Sequence, residues 1–198
     1  MNPVNREIEA KIQLPDPSVI QKRLPTLSAV LVSDHLEINT YFDDGNETLK
    51  RSDQGLRLRI ARAADGTVTV AITHKGPRDF SMLKSRTEVE IQIDDERAGW
   101  DLLSALGYVP VLQFEKQRQR WSLDGCHVDL DRMPYLGAYL EIEGPAEETV
   151  LSVRQKLGLS AAPLIHTSYP GLLQDYLRTH SINRHRITFA EAGASSEI

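Results

Sequence analysis

The sequence has few of the features that mark disulfide-bonded, cysteine-ligated or membrane-spanning proteins. Its 198 residues include one cysteine, Cys126, so an internal disulfide and a cluster of cysteine metal ligands are both excluded. No run of 18 apolar residues occurs, which leaves no candidate for a membrane-spanning helix. The segment from Met1 to Arg6 lacks the apolar core of a secretory signal. We therefore expect a cytoplasmic protein with no membrane association.

Basic residues are fewer than acidic ones. The chain has 28 acidic and 23 basic residues, a formal net charge of -5, which argues against nucleic-acid binding through a broad basic face. A glycine-rich phosphate loop of the Walker type and the Gly-x-Ser-x-Gly motif of esterases are both absent from the sequence. The placement of the charges, rather than an excess of one sign, must therefore carry the functional signal.

What the chain does have is a repeated alternation of apolar and ionisable residues. The segment 6–14 reads REIEAKIQL, and the same period of two recurs in GLRLRIAR at 55–62, KSRTEVEIQI at 84–93 and GAYLEIEG at 137–144. A period of two is typical of a β-strand whose two faces meet different surroundings. Each of these strands would carry aliphatic side chains on one face and charged ones on the other.

Helix signals separate the predicted strands. Asp16-Pro17 and Asp94-Asp95 are typical helix starts, and amphipathic segments follow at 146–157 and 168–179. With about eight antiparallel strands and four or five helices, the chain has an α+β plan. We predict a single domain over residues 1–180 and a loosely held C-terminal tail at 181–198, which is polar and rich in small residues.

Two arrangements of the strands could explain the charged faces. An open sheet with one solvated face is the simpler arrangement, but solvated faces usually mix in Ser, Thr and Gln, whereas Glu, Asp and Arg dominate here. Eight strands can instead close on themselves, leave no edge and enclose a narrow interior. We therefore predict a closed eight-stranded antiparallel β-barrel with a charged lumen, covered on its outside by the amphipathic helices.

A lumen that holds charges of both signs predicts a charged ligand. Desolvating unpaired ions costs several kcal/mol for each ion, so such a space is rarely built for stability alone. Arginine and lysine bind polyanions, and carboxylates hold divalent cations that bridge the oxygens of the same anion. Triphosphate is the polyanion that best matches this combination.

Short charged motifs also follow one another in a characteristic order. The first is Glu7-Ile8-Glu9-Ala10-Lys11, an E-x-E-x-K sequence that is a weak signal alone. The motifs that follow are Tyr41-Phe42-Asp43, Leu56-Arg57-Leu58-Arg59, Lys75-Gly76-Pro77, Arg86-Thr87-Glu88-Val89-Glu90, Glu115-Lys116-Gln117-Arg118, Asp131 and Leu140-Glu141-Ile142-Glu143-Gly144. In this order, and over residues 6–177, the chain resembles the CYTH family of triphosphate tunnel metalloenzymes.

The resemblance implies a tunnel that binds a triphosphate or nucleoside triphosphate together with Mg²⁺ or Mn²⁺. By position, the triphosphate ligands would be Lys11, Arg57, Arg59, Lys75, Arg86, Lys116 and Arg118. The metal-binding acids would be Glu7, Glu9, Asp131, Glu141 and Glu143. Lys11, Glu9 or a metal-bound water could act as the catalytic base. A homodimer is consistent with the resemblance.

The resemblance leaves the reaction open. Class IV adenylyl cyclases convert ATP to cyclic AMP and pyrophosphate, whereas inorganic and thiamine triphosphatases direct water onto a terminal phosphorus. The segments 106–110 and 115–118, and Ser168-Tyr169, are similar to bacterial class IV cyclases, which favours the first reaction. A non-catalytic polyphosphate or nucleotide sensor is a third alternative. The carboxylate pairs Glu7/Glu9 and Glu141/Glu143 argue against a sensor, because a pure anion receptor would bind better without them.

Overall fold

The computed structural model describes residues 5–79 and 83–194, with side chains for 8–79 and 83–193. The strands are β1 (Asn5–Leu14), β2 (Val30–Asp43), β3 (Gly55–Ala63), β4 (Val68–Asp79), β5 (Lys84–Ile93), β6 (Val109–Leu123), β7 (Cys126–Met133), β8 (Gly137–Gly144) and β9 (Arg186–Ile187). The helices are α1 (Pro17–Thr26), α2 (Thr48–Arg51), α3 (Glu96–Ala105), α4 (Glu147–Lys156), α5 (Tyr169–Thr179) and α6 (Phe189–Ala194). None of the helices described is long and apolar enough to cross a membrane.

Strands β1 to β8 form a closed antiparallel barrel. Their order is β2-β3-β4-β5-β1-β8-β7-β6, and β2 pairs again with β6 from Val30 opposite Ser122 to Asp43 opposite Val109. Closure through this long β2–β6 pairing leaves none of the eight strands with a free edge. The predicted α+β fold with a closed eight-stranded antiparallel barrel is therefore confirmed.

The helices cover the aliphatic outer face of the barrel in three places. Helices α1 and α4 pack over β1, β7 and β8, where Leu24 and Val153 join the fully buried Leu140 and Ile142. Helix α3 packs over β3 and β4, and α5 lies against β6 and β8. Since these apolar clusters lie outside the barrel, the inward positions of its strands are left to the charged residues.

Part of the segment predicted as a C-terminal tail packs against the barrel. Strand β9 pairs parallel to β6, with Ile187 opposite Phe114, and the Ile187 side chain is fully buried in the apolar cluster beneath α5. The backbone N–H of Phe189 also donates to the Glu115 carboxylate at 2.8 Å. The few apolar residues of this segment, among them Ile182, Ile187 and Phe189, show no regular period from which this packing could be predicted.

Candidate functional site

The barrel encloses a cavity of about 860 Å³ that collects the charged side chains. Its lining contains all seven cations predicted as triphosphate ligands, which are Lys11, Arg57, Arg59, Lys75, Arg86, Lys116 and Arg118. The predicted metal-binding acids that line it are Glu9, Glu141 and Glu143. The side chain of Glu7 lies outside the described residues, and Asp131 is buried behind the cavity wall.

Strand alternation explains why the cations converge. Arg57 and Arg59 on β3 point into the lumen, because Leu56, Leu58 and Ile60 fill the apolar cluster under α3 on the other face. The same alternation turns Lys11, Lys75, Arg86, Lys116 and Arg118 inward from four further strands. Burial is nearly complete for Lys11, whose exposed fraction is 2%, and for Lys116, with 3%.

Carboxylates within the lumen pair with these cations. Lys11 Nζ lies 3.2 Å from Glu141, Lys75 Nζ lies 2.7 Å from Glu88, and Lys84 contacts Glu9. The guanidinium Nη2 atoms of Arg57 and Arg59 approach Glu90 at 3.6 and 2.9 Å. Pairing of this kind offsets the cost of holding so many ions out of water.

Two arginines retain a donor that lacks an acceptor. Within the described part of the chain, the Nε atoms of Arg57 and Arg86 are buried without a hydrogen-bond partner. Both residues line the cavity, and a buried charged donor without an acceptor is costly. Both arginines therefore have hydrogen-bonding capacity left for an anion that binds in the cavity.

Arg118 is the centre of a carboxylate network on β6, β7 and β8. Its guanidinium contacts Asp129 at 2.6 Å, Asp131 at 2.5 Å and Glu141 at 2.6 Å. Burial lowers the pKa of Arg118, but the carboxylates, Asp129 first, outweigh it and hold that pKa well above its usual range. Because Asp131 also accepts from the Tyr169 hydroxyl at 2.8 Å, its oxygens are engaged in positioning Arg118 and α5. This geometry favours a positioning role for Asp131 over the metal-binding role expected from the sequence.

Lys11, one of the two predicted catalytic residues, has a deeply buried amine. Its Nζ donates to the Thr167 carbonyl at 3.2 Å and lies 4.0 Å from the centre of the Tyr169 ring. Burial lowers the pKa of Lys11, and the nearby Glu141 carboxylate only partly opposes this effect. A lysine with a lowered pKa is better suited to accept a proton than one on the surface.

The acids that line the cavity suit a hard divalent cation. Glu9 on β1 lies opposite Glu143 on β8, and Lys11 lies opposite Glu141 in the next row. The described residues contain no group of three His, Cys, Asp or Glu side chains arranged as a ready-made metal site. Mg²⁺ is commonly held by one or two carboxylates and completed by substrate phosphates and water. The donor set therefore fits a cation that binds together with a phosphate chain.

Sequence reasoning missed two buried ions, Glu37 and Lys84. Glu37 follows the same alternation as the recognised strands, since His35, Glu37 and Asn39 share a face. Lys84 begins β5 and shares the inward face of Arg86. Both could have been found by extending the alternation to every residue of each strand.

Comparisons with known proteins show which family the chain belongs to. The CYTH domain family model matches residues 5–169. The adenylate cyclase CyaB of Aeromonas hydrophila is 26% identical over 185 residues, covering 88% of this chain and 92% of its own. A solved Pyrococcus horikoshii protein is 26% identical with a TM-score of 0.75, covering 86% of this chain and 99% of that one.

A third similar protein, from Hippeastrum, is a candidate adenylyl cyclase described as having a dominant triphosphatase activity. It is 20% identical with a TM-score of 0.68, and the match covers 86% of this chain and 96% of that one. A likeness at this identity supports the shared fold. The family match over most of the chain, together with the closed barrel and its charged lumen, shows that this protein belongs to the CYTH domain family.

Proposed function

We propose that the protein is a divalent-metal-dependent enzyme that binds a nucleoside triphosphate in the barrel and converts ATP to cyclic AMP and pyrophosphate. One observation carries this proposal. A single cavity is lined by all seven cations predicted as triphosphate ligands, by three carboxylates suited to a metal, and by uncharged side chains such as Leu112 and Pro170. The first two suit a triphosphate with its cation, and the third suits an organic group attached to it.

The size and shape of the cavity favour a nucleotide over inorganic triphosphate. About 860 Å³ lies within the range of pockets that hold drug-sized ligands, roughly 300–1,000 Å³. Beyond the charged region its lining includes Val111, Leu112, Pro170 and Gln174, close to the N-terminal end of α5. A base and ribose could lie against these residues while the phosphates contact the cations.

The lumen residues would have three roles: binding phosphate, holding the metal and accepting a proton. Arg57 and Arg86, each with a buried Nε donor in need of an acceptor, would bind phosphoryl oxygens. Glu9, Glu141 and Glu143 would hold Mg²⁺ or Mn²⁺, which offsets negative charge on the phosphates when bound. Lys11, with its lowered pKa, would accept the proton of the ribose 3′-hydroxyl, and Glu9 is the other candidate for this step.

Triphosphate hydrolysis is the alternative reaction. The same fold supports a dominant triphosphatase activity in the Hippeastrum protein, so the barrel itself does not select the reaction. A cyclase directs a ribose oxygen onto the α-phosphorus, whereas a triphosphatase directs water onto a terminal phosphorus. The products distinguish the two reactions directly.

The decisive experiment is product analysis by phosphorus NMR. The purified protein is incubated with ATP and, separately, with inorganic triphosphate, in the presence of Mg²⁺ or Mn²⁺ and again with EDTA. We expect pyrophosphate and cyclic AMP from ATP, and no turnover with EDTA. Orthophosphate from triphosphate, with ATP little changed, would replace the cyclase proposal with the triphosphatase. Binding of both compounds without turnover would indicate a sensor.

Two variants test the proposed roles against a surface control. We expect Glu143→Ala to lower turnover by at least about 100-fold, because the metal supplies several kcal/mol of charge stabilisation, while metal-free triphosphate binding persists. We expect Arg57→Ala to weaken that binding by about tenfold or more, since hydrogen bonds to charged groups contribute about 1.5–3 kcal/mol. Arg97→Ala, on the exposed face of α3, should change neither quantity. Equal loss of turnover and binding in Glu143→Ala would contradict its metal-binding role.

A further inference from the structure

Glu37 is a buried carboxylate that contacts three of the predicted triphosphate ligands. It lies on the inward face of β2 with an exposed fraction of 1%. Its Oε2 atom is 3.1 Å from Lys116 Nζ, and its Oε1 atom is 3.6 Å from Arg59 Nη1 and 4.0 Å from Arg118 Nε. His35 Nε2 and Asn39 Nδ2, each at 3.2 Å, complete its surroundings.

Glu37 differs in position from most of the other acids that pair with the lumen cations. Glu88, Glu90 and Glu141 line the cavity, and 17%, 32% and 13% of their side chains are exposed. These acids can turn toward water or a metal when a phosphate chain takes their partners. Glu37 is not part of the cavity lining and has no room to withdraw from Lys116 and Arg59.

The charge of Glu37 is also fixed. Burial raises the pKa of this carboxyl, but Lys116, Arg118, His35 and Arg59 together hold it well below its usual range. A polyphosphate that binds Lys116 and Arg59 therefore meets a permanent negative charge directly behind them. Within a few ångströms and away from bulk water, such a charge weakens the binding of an anion substantially.

We propose that Glu37 is a built-in counter-ion that limits how tightly the barrel holds a polyphosphate chain. This inference rests on the proposed binding of triphosphate in the lumen. Asp131 is a second buried counter-charge, but it lies beside Lys116 and Arg118 and accepts from Tyr169, whereas Glu37 lies between Lys116 and Arg59. Without the charge of Glu37 the lumen would hold substrate and phosphate product more tightly, and tight binding of both does not raise the rate. Glu37 keeps the affinity low enough for the product to leave.

Isothermal titration calorimetry with inorganic tripolyphosphate tests this role without reference to turnover. EDTA in the buffer excludes divalent cations, so that only the side chains contribute. We expect Glu37→Gln to bind tripolyphosphate about tenfold more tightly than the unaltered protein, because one nearby like charge is removed. Glu37→Asp keeps the charge but draws it back from Lys116 and Arg59, so its affinity should rise by a smaller factor.

Asp34→Asn provides the matched control. Asp34 lies on the same strand but on the exposed outer face, where its carboxylate accepts from the amides of Gln117 and Gln119 at 2.6 and 2.7 Å. This substitution removes the same charge as Glu37→Gln, and solvent screening should keep the change in tripolyphosphate affinity within about twofold.

The outcomes separate this inference from the proposed function. Affinity that is unchanged or lower in Glu37→Gln, while the unaltered protein binds tripolyphosphate, overturns the counter-ion role alone and leaves Glu37 as a structural partner of Lys116. If the glutamine variant does not fold, unchanged or weaker binding by Glu37→Asp overturns it in the same way. Failure of the unaltered protein to bind tripolyphosphate overturns both proposals.

Discussion

Each of the seven lumen cations has a carboxylate oxygen within 4.0 Å, and this pairing governs how the site can bind an anion. The desolvation of these ions is offset by partners inside the protein. A triphosphate that enters the lumen must therefore exchange partners with the acids already there. Acids in the cavity lining, such as Glu141, would then be released from their cations, whereas Glu37 and Asp131 stay behind the cavity wall.

Tyr169 connects this charge network to helix α5. Its hydroxyl donates to Asp131, and its ring lies over Lys11 Nζ. Burial, reinforced by the charges of Asp131 and Glu141, raises the pKa of Tyr169 well above its usual range, so the hydroxyl remains a donor at all ordinary pH values. The residue therefore anchors the first turn of α5 to the wall of the lumen.

We expect Tyr169→Phe to lower the free energy of unfolding by about 1.5–3 kcal/mol, the usual contribution of a hydrogen bond to a charged group. The phenylalanine ring keeps the packing against Tyr139 and the contact with Lys11, so the change isolates the hydroxyl. Urea unfolding in EDTA measures the effect. Tyr135→Phe is the control, because its hydroxyl accepts only a long, exposed bond of 3.4 Å from Arg184. Equal stability of Tyr169→Phe and the unaltered protein would show that Arg118 and Lys116 hold Asp131 without the tyrosine hydroxyl.

At the scale of single elements, helix α4 and strand β8 meet at a point that tolerates no side chain. A Cβ atom on Gly144 would lie 2.7 Å from Cys126 Sγ and 3.0 Å from Val150 Cγ2. Both neighbours belong to the fully packed cluster beneath α1 and α4. The chain can therefore turn from β8 into α4 at this distance only with glycine at position 144.

We expect Gly144→Ala to destabilise the protein by about 1–3 kcal/mol through overpacking. Gly45→Ala is the matched control, since a Cβ atom there meets no atom within 4 Å and its backbone φ lies outside the left-handed region. That control should leave stability unchanged or raise it by up to about 1 kcal/mol. Thermal unfolding of the two variants compares them directly. A neutral Gly144→Ala would mean that α4 can shift away from β8 without cost.

Elements differed in how far their sequences predicted them. Alternation over 84–93 matched the bounds of β5, because that strand has one aliphatic and one charged face along its whole length. Strand β2, by contrast, begins at Val30 within the exposed run Val30, Leu31 and Val32, and this run has no alternation from which its start could be predicted. The pairing of β2 with β6 could not be predicted from the sequence, because alternation indicates the two faces of a strand and not its neighbours.

The candidate site was predicted more completely for its cations than for its acids. All seven cations line the cavity, because each lies at an inward position of a regular strand. An acid, by contrast, can line the lumen, position an arginine or balance a cation, and these roles share one sequence pattern. Asp131 and Glu37 illustrate this, since both face inward yet lie behind the cavity wall. Only their three-dimensional contacts separate the three roles.

At the scale of the whole molecule, the net charge of -5 conceals a concentration of both signs of charge in the cavity. Eleven of the 23 basic residues line the cavity, together with nine carboxylates. The carboxylates paired with those cations link the charge of the lumen to folding. Among them, Glu37 is nearly fully buried, and its pKa is held well below the ordinary value of 4.5.

This shift predicts how stability depends on pH. Between pH 4.5 and the lower pKa of the folded state, the unfolded chain binds more protons at Glu37 than the folded one does, so acidification favours unfolding. The contribution of Glu37 is fully present above pH 4.5 and is lost as the pH falls through its folded-state pKa. We therefore expect the free energy of unfolding to fall steeply below about pH 4.5 in EDTA.

The variant Glu37→Gln should alter both the stability near pH 7 and its decline at acidic pH. Near pH 7 it should be less stable by about 3–5 kcal/mol, the usual cost of removing one partner of a buried ion pair. Its stability should then decline less between pH 5 and pH 3, since the group responsible for part of the slope is gone. Urea unfolding at several pH values measures both effects, with the exposed Glu96→Gln on α3 as a control that should change stability by less than about 1 kcal/mol. If stability falls with acid as steeply in Glu37→Gln as in the unaltered protein, another group is responsible for the acid sensitivity. Glu141 is the next carboxylate to test, because its pKa is also well below the usual range.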